Sequence, residues 1–362
     1  MTLSTYRIGT GLARGDEPEP QVAAAAVAAA LDRAGLDSAH SVLLLLSSEF
    51  ARSAHAAVTA AARAAGAVNV QGCTVPGVFT EQDWALDMPA AAALVLGGDL
   101  RLGPPADGPA LSFATPCAAP AVWLASRPER LGALSTHADG QHGGRVFAHG
   151  QLHDSGAVEF GVRGARAVYA VSRGVRMLGG GHRVSGAGEL ELFALDGHAA
   201  LGTLQRELPL ELRELRQDAL HHLFAGVARD AAAAAGGDYR LLPVLRANGD
   251  DRSVTLGGRV EVGEHLFWCA RQAVAAEGDM RHAAAKAAAA MDGSARFGLV
   301  FSCLGRGPYF YGGEDRDLAA IRDRLPGLPL VGAYCAGEIA PVGGQNVLLH
   351  NSVVLALFGE GA

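Results

Sequence analysis

Unbroken apolar runs of strand length alternate with alanine-rich helical stretches at the start of the chain. Pro20–Ala34 has a proline at its start, is filled with alanine and meets Gly35, which predicts a helix with a left-handed stop. Ser41–Ser47 is a short run of valine and leucine bounded by serines. It is too short for a helix and apolar on both faces, which predicts a buried strand. Residues 51–65 read as a second helix ended by Gly66. Residues 68–71 read as a second strand closed by Gly72-Cys73-Thr74-Val75-Pro76-Gly77. Strand, helix and strand at this spacing predict a parallel pair joined by a right-handed crossover.

Between residues 91 and 201 the texture changes. Short strand-like runs at 92–96, 121–125, 157–162, 166–171 and 189–195 are separated by glycine turns, and Asp196-Gly197 is a strong turn signal. This part reads as mostly antiparallel sheet. Residues 210–230 then place Leu212, Leu215, Leu220, Leu223, Phe224 and Val227 near one face of an amphipathic helix. Strand-like runs at 240–245 and 254–267 follow, and a helix at 280–290.

The pattern near the start recurs near the end. Residues 297–302, 315–325 and 328–331 repeat the strand, helix and strand of 41–47, 51–65 and 68–72. Gly72 to Gly77 lines up with Gly332-Ala333-Tyr334-Cys335-Ala336-Gly337. The expected fold is α/β with α+β character in the middle: two pseudo-repeated domains with mixed sheets, at 1–209 and 210–362.

Length and charge narrow the function classes. A chain of 362 residues, 49% apolar and 19% charged, can hold two cores. The net charge of -7 offers no basic face for a phosphate backbone, so nucleic acid is excluded as an expected partner. The N-terminus carries no basic-then-apolar leader. The apolar run 43–46 is far below the roughly 20 residues of a membrane helix, so no membrane partner is expected. Cys73, Cys117, Cys269, Cys303 and Cys335 show no Cys-x-x-Cys spacing. This supports neither zinc nor a disulfide framework and favours a cytoplasmic chain with reduced thiols.

In open α/β sheets, ligands sit beyond the carboxyl ends of parallel strands. Those ends carry Ser47, Ser48, Glu49, Cys73 and Thr74 in the first half, and Ser302, Cys303, Arg306, Tyr334, Cys335 and Glu338 in the second. Arg306 can clamp a carboxylate and Glu338 can receive an ammonium, which suits a small zwitterion. The glycines at 305, 307, 332 and 337 permit close backbone approach. The competing reading is a structural Arg306–Glu338 ion pair. Cys73, Cys303 and Cys335 are either thiol nucleophiles or inert core residues. His137, His142, His149 and His153 lie in glycine-rich segments without metal-ligand spacing. His182 is either a single axial haem ligand or a turn histidine. The stretch from Gly9 to Gly15 has the wrong spacing for a phosphate loop.

The segments 301–307 and 332–341, with His350-Asn351-Ser352, resemble the C-terminal half of the FIST family, a bacterial sensory module. Tyr6 to Gly11, Val70 to Gly77 and Val171 to Arg176 resemble its N-terminal half. Met177 stands where that pattern expects a proline, and 101–144 match nothing in it. The resemblance implies a sensor of a small molecule, amino acids having been suggested, and a non-catalytic role is expected. The strand-end reading places Ser302, Cys303, Arg306, Gly332, Tyr334, Gly337 and Glu338, together with Cys73 and Thr74, in the expected ligand loops. No cofactor is expected on this reading. Some family members resemble haem-binding nitric oxide sensors, which makes haem the alternative cofactor. A thiol-dependent enzyme is the third reading. The length leaves no room for an output domain, so signalling is expected to pass through a separate protein.

Overall fold

The computed structural model describes residues 6–105, 108–137, 143–212 and 220–360. It contains two compact units. One comprises Met1–Arg173 with Asp279–Ala362, and the other Gly174–Gly278.

The first unit is built on a strand–helix–strand repeat. Ser41–Ser47 and Val70–Val75 pair in parallel and are joined through the helix Ala54–Ala65. Ala295–Cys303 and Leu330–Cys335 pair in parallel and are joined through Arg316–Arg324. The flanks match too. Ala90–Gly98 and then Tyr6–Arg14 lie antiparallel beside the first pair, as Val353–Gly359 and Arg166–Ser172 lie beside the second. The helix Pro20–Ala34 in one repeat corresponds to Ala273–Met291 in the other.

A third, abbreviated repeat was not legible in the sequence. Ala110–Ala114 and Arg130–Leu134 are also parallel, and Ala121–Ala125 between them is a helix, not the expected strand. Pro120 precedes its first residue, and only Leu124 of the five is buried. A strand inside a sheet would bury more.

The strand after each parallel pair leaves its own sheet and joins the next. Gly77–Thr80 pairs with Leu330–Cys335, Glu338–Val342 with Arg130–Leu134, and Val146–Ala148 with Val70–Val75. The exchange closes a cycle of three sheets around one apolar core. That core takes Leu45 and Cys73 from the first, Phe113 and Ala133 from the third, and Phe301 and Cys335 from the second. Alanine-faced helices cover the outside. Gly9 and Gly11 belong to the strand Tyr6–Arg14, where an added Cβ would stand 2.0 Å from the carbonyl oxygens of Ala30 and Ala26. They let a helix lie directly on the sheet.

Gly72, Gly132 and Gly332 occupy the same place in the three repeats, opposite Leu44, Ser112 and Val300. Gly72 is therefore no turn: the second strand runs on through Val75 instead of stopping at 71.

The second unit is an antiparallel sheet of seven strands. Val175–Ala187 pairs with both His265–Arg271 and Glu191–Leu195, which closes six of the strands into a barrel, while His198–Ala199 pairs with Glu191–Leu195 outside the ring. The helix expected over 210–230 is corrected here. Leu223–Ala228 is a strand buried at every position, with Leu223, Ala225 and Val227 on the barrel interior and Phe224 on the other face. Apolar residues on both faces mimic helical spacing. Leu215 lies outside the described residues. The run 254–267 divides into Val254–Leu256 and His265–Arg271.

The halves read from sequence meet at residue 210, whereas the compact units part at 173/174 and 278/279. The barrel is an insertion between the first strand and the first helix of the second repeat.

Candidate functional site

Strand alternation divides the residues singled out from sequence between two faces. Leu299 and Phe301 face the central core, so Cys303 does as well. Val331, Ala333 and Cys335 form the matching inward row on the neighbouring strand. Ser302 and Tyr334 point the other way, and Tyr334 packs with Val300 and Val353 under the helices.

The outward face carries an ion-pair network. Arg306 is 0% exposed. Its Nε and Nη2 donate to the two carboxylate oxygens of Asp317 at 3.1 and 2.6 Å, and its Nη atoms donate to Ser172 Oγ at 3.2 Å. Tyr311 also donates to Asp317, at 2.8 Å. Burial alone would weaken the guanidinium's hold on its proton. Asp317 reverses that and keeps Arg306 charged. Asp315 caps the helix Arg316–Arg324 and accepts the Tyr334 hydroxyl proton. The expectation of an open clamp at Arg306 does not match these surroundings, because the fork that would bind a ligand carboxylate is engaged by Asp317. Aspartate 317 gave no sequence signal, since it follows Arg306 by a stretch of glycines and aromatics with no fixed spacing.

The inward face carries a different chemistry. Glu338 is 0% exposed. Cys335 Sγ lies 3.4 Å from its Oε1, Cys303 stands beside it, and the Ser352 amide donates to it. Its Oε2 has no hydrogen-bond partner among the described residues. Burial pushes this carboxyl well above the usual carboxylate range, against the opposing pull of the Cys335 thiol and the Ser352 amide. The same burial, reinforced by Glu338, raises the Cys335 thiol. In the other repeats the corresponding positions, each paired to the residue after the strand glycine, are Val78 and Val146. A buried acid therefore replaces valine in one of three equivalent places, a substitution that packing does not call for.

The turn 350–352 joins the two networks. Arg306 donates to the Asn351 carbonyl at 3.4 Å, Ser352 donates to Glu338, and the Cys303 amide donates to the Ser352 carbonyl at 2.9 Å. Asn351 holds φ +54, and its side-chain amide reaches the Arg173 carbonyl.

The remaining candidates are dispersed. Cys73 is buried in the central core opposite Leu45, and burial pushes its thiol far up. Thr74 Oγ1 accepts the Arg145 amide at 2.8 Å and meets Ser135. Gly332 gives room to the Phe79 ring, and Gly337 to Leu134. A groove of about 860 Å³ between Ala119–Pro128 and Gly344–Leu348 includes none of the residues singled out from sequence.

In the barrel, His182 Nδ1 lies 2.8 Å from Asp196 and Nε2 2.5 Å from Glu207. An axial haem bond needs a free nitrogen lone pair, and both ring nitrogens here face carboxylates. His142 lies outside the described residues.

Residues 200–341 match the model of the FIST C domain, a stretch that includes Cys303, Cys335 and Glu338. The uncharacterized protein Rv0628c of Mycobacterium tuberculosis (strain H37Rv) is 36% identical over 217 residues, which cover 59% of this chain and 56% of that protein. The uncharacterized protein Mb0898c of Mycobacterium bovis is 33% identical over 216 residues, with coverage of 59% and 56%. The chain thus spans little more than half the length of the curated relatives it matches.

Proposed function

We propose that this chain, which carries a FIST C domain, is a non-catalytic small-molecule sensor whose ligand presents an ammonium group to Glu338, a free amino acid being the simplest such compound. The observation that carries the reading is the spare oxygen of a fully buried carboxyl beyond the ends of a parallel strand pair. Leaving such a group without a partner costs about 1–3 kcal/mol, which a ligand donor would recover on binding. Arg306 holds the turn 350–352 that supports Glu338 and does not itself meet the ligand. Ser302 and Tyr334 serve the same supporting shell. Cys303 and Cys335 line the approach, Gly332 and Gly337 let the strands close around it, and Cys73 and Thr74 shape the neighbouring sheet.

No helix among the described residues is long and apolar enough to cross a membrane. A cytoplasmic sensor that passes its signal to a separate protein is the fuller form of this reading, and it follows the family resemblance.

The test is calorimetric titration with a panel of free amino acids and their deaminated analogues. Burial favours the protonated form of Glu338, so an ammonium ligand competes with a proton and binding should strengthen as pH rises. Glu338→Gln should remove binding and its pH dependence together. Equal affinity for amino and deaminated compounds would overturn the reading.

A further inference from the structure

We propose that Cys303 and Cys335 are a redox-active dithiol, closed by a hydroperoxide to an intramolecular disulfide with Glu338 as the proton acceptor for Cys335. The inference does not depend on the ammonium ligand.

Three observations carry it. Cys303 and Cys335 are direct register partners on neighbouring parallel strands; Cys335 belongs to the central core, and strand alternation puts Cys303 on the same face as Leu299 and Phe301. Neighbouring strands lie about 4.8 Å apart, inside the Cα separation that a disulfide spans, roughly 4.4–6.8 Å. The other cysteines have no such partner in register: Cys73 faces Leu45 and Val146, and Cys269 faces Phe224 and Met177. The two thiols also differ in access. Cys303 is partly exposed, whereas Cys335 is fully buried. Finally, Cys335 Sγ sits 3.4 Å from Glu338 Oε1, and the carboxyl's second oxygen has no partner among the described residues. Burial suppresses the Cys335 thiolate, so a local acceptor is needed before this sulfur can attack.

The chemistry balances in two steps. Cys303, having lost its proton to water, attacks the peroxide; an S–O bond forms, the O–O bond breaks, and alkoxide or hydroxide leaves. Cys303 is then a sulfenic acid. Cys335 gives its proton to the carboxylate form of Glu338 and attacks the Cys303 sulfur. An S–S bond forms, the S–O bond breaks, and the departing hydroxide takes the proton from Glu338 as water. Two thiols are oxidised and one hydroperoxide is reduced.

The experiment treats the reduced full chain with hydrogen peroxide, blocks free thiols and maps the peptides by mass spectrometry without reductant. The expected result is a mass loss of two hydrogens, with the Cys303 and Cys335 peptides linked. Cys335→Ser should stop at a Cys303 sulfenic acid that dimedone traps, and Cys303→Ser should give neither species. Glu338→Gln should accumulate the dimedone adduct because closure is roughly 100-fold slower. The mapping of the unsubstituted chain decides the matter even where a variant fails to fold. Thiols 303 and 335 left unlinked while the exposed Cys117 is oxidised would overturn the proposal, as would linkage that proceeds in Glu338→Gln at the original rate.

Discussion

Replacing Arg306 by methionine separates a structural from a ligand-binding role. The guanidinium is fully buried and holds both oxygens of Asp317, the Ser172 hydroxyl and the Asn351 carbonyl. Methionine retains much of the stem's volume but removes the charge. Asp317 is then left in the interior with Tyr311 as its donor. Removing one partner of a buried pair costs about 3–5 kcal/mol, because the other charge stays behind without compensation. Asp317→Asn alone should cost a comparable amount. The double variant should cost clearly less than the sum, with a coupling of roughly 2 kcal/mol or more, since both charges leave together. Urea unfolding of the four proteins gives the cycle, provided the transition of the unit bearing Arg306 is resolved from that of the barrel. The reasoning fails if Arg306→Met costs less than about 1 kcal/mol. It fails equally if the two substitutions add without coupling. Either result would mean that the fork is not committed to Asp317 and is available to a ligand.

Two further outcomes follow. Gly132→Ala would set a Cβ 1.8 Å from the Ser112 carbonyl oxygen, which the backbone cannot relieve, so it should destabilise by about 1–3 kcal/mol. Gly278→Ala, in a helix with nothing within 4 Å, should instead be neutral or stabilising by up to about 1 kcal/mol, and denaturant melts compare the two. His182 is pulled down by burial and pushed up more strongly by Glu207 and Asp196, so its folded pKa lies above the ordinary value. Its contribution to the barrel should be full below about pH 6.5 and lost as pH rises through that folded pKa. His182→Gln should flatten the dependence in melts taken across that range.

The repeat was legible because its strands are buried on both faces. Ser41–Ser47 and residues 297–301 then read as apolar runs, and length alone separates them from helices. The third repeat was illegible because its crossover helix is only five residues, Ala121–Ala125, and mostly exposed, so neither periodicity nor capping marked it. Leu223–Ala228 misled for the opposite reason. Its strand is apolar on both faces, and the leucines before it complete a false helical stripe. The insertion boundary at 173/174 left no composition shift, because both sides are strands joined directly at Gly174.

For the site, sequence order picked the right strand ends and could not assign their faces. Ser302 and Cys303 are neighbours in the chain and point into different environments, so one recognition set became two networks. The competing reading of an Arg306–Glu338 ion pair rests on their similar loop positions. In the fold Arg306 takes Asp317 as its ion partner, and Glu338 is left with thiols and an amide. The separation gives each network its own task. Arg306 and Asp317 pin the turn 350–352, and that turn presents Ser352 to Glu338 and to the Cys303 backbone. A change in protonation or oxidation at Glu338, Cys303 and Cys335 therefore acts on a turn whose far side is fastened by a buried ion pair. Such a turn can move only by straining that pair or the strand end at Cys303. The valines at the corresponding places of the other two repeats show that the strand exchange between sheets does not need this acid. Its presence in the second repeat is best accounted for by chemistry at the carboxyl ends of Ala295–Cys303 and Leu330–Cys335.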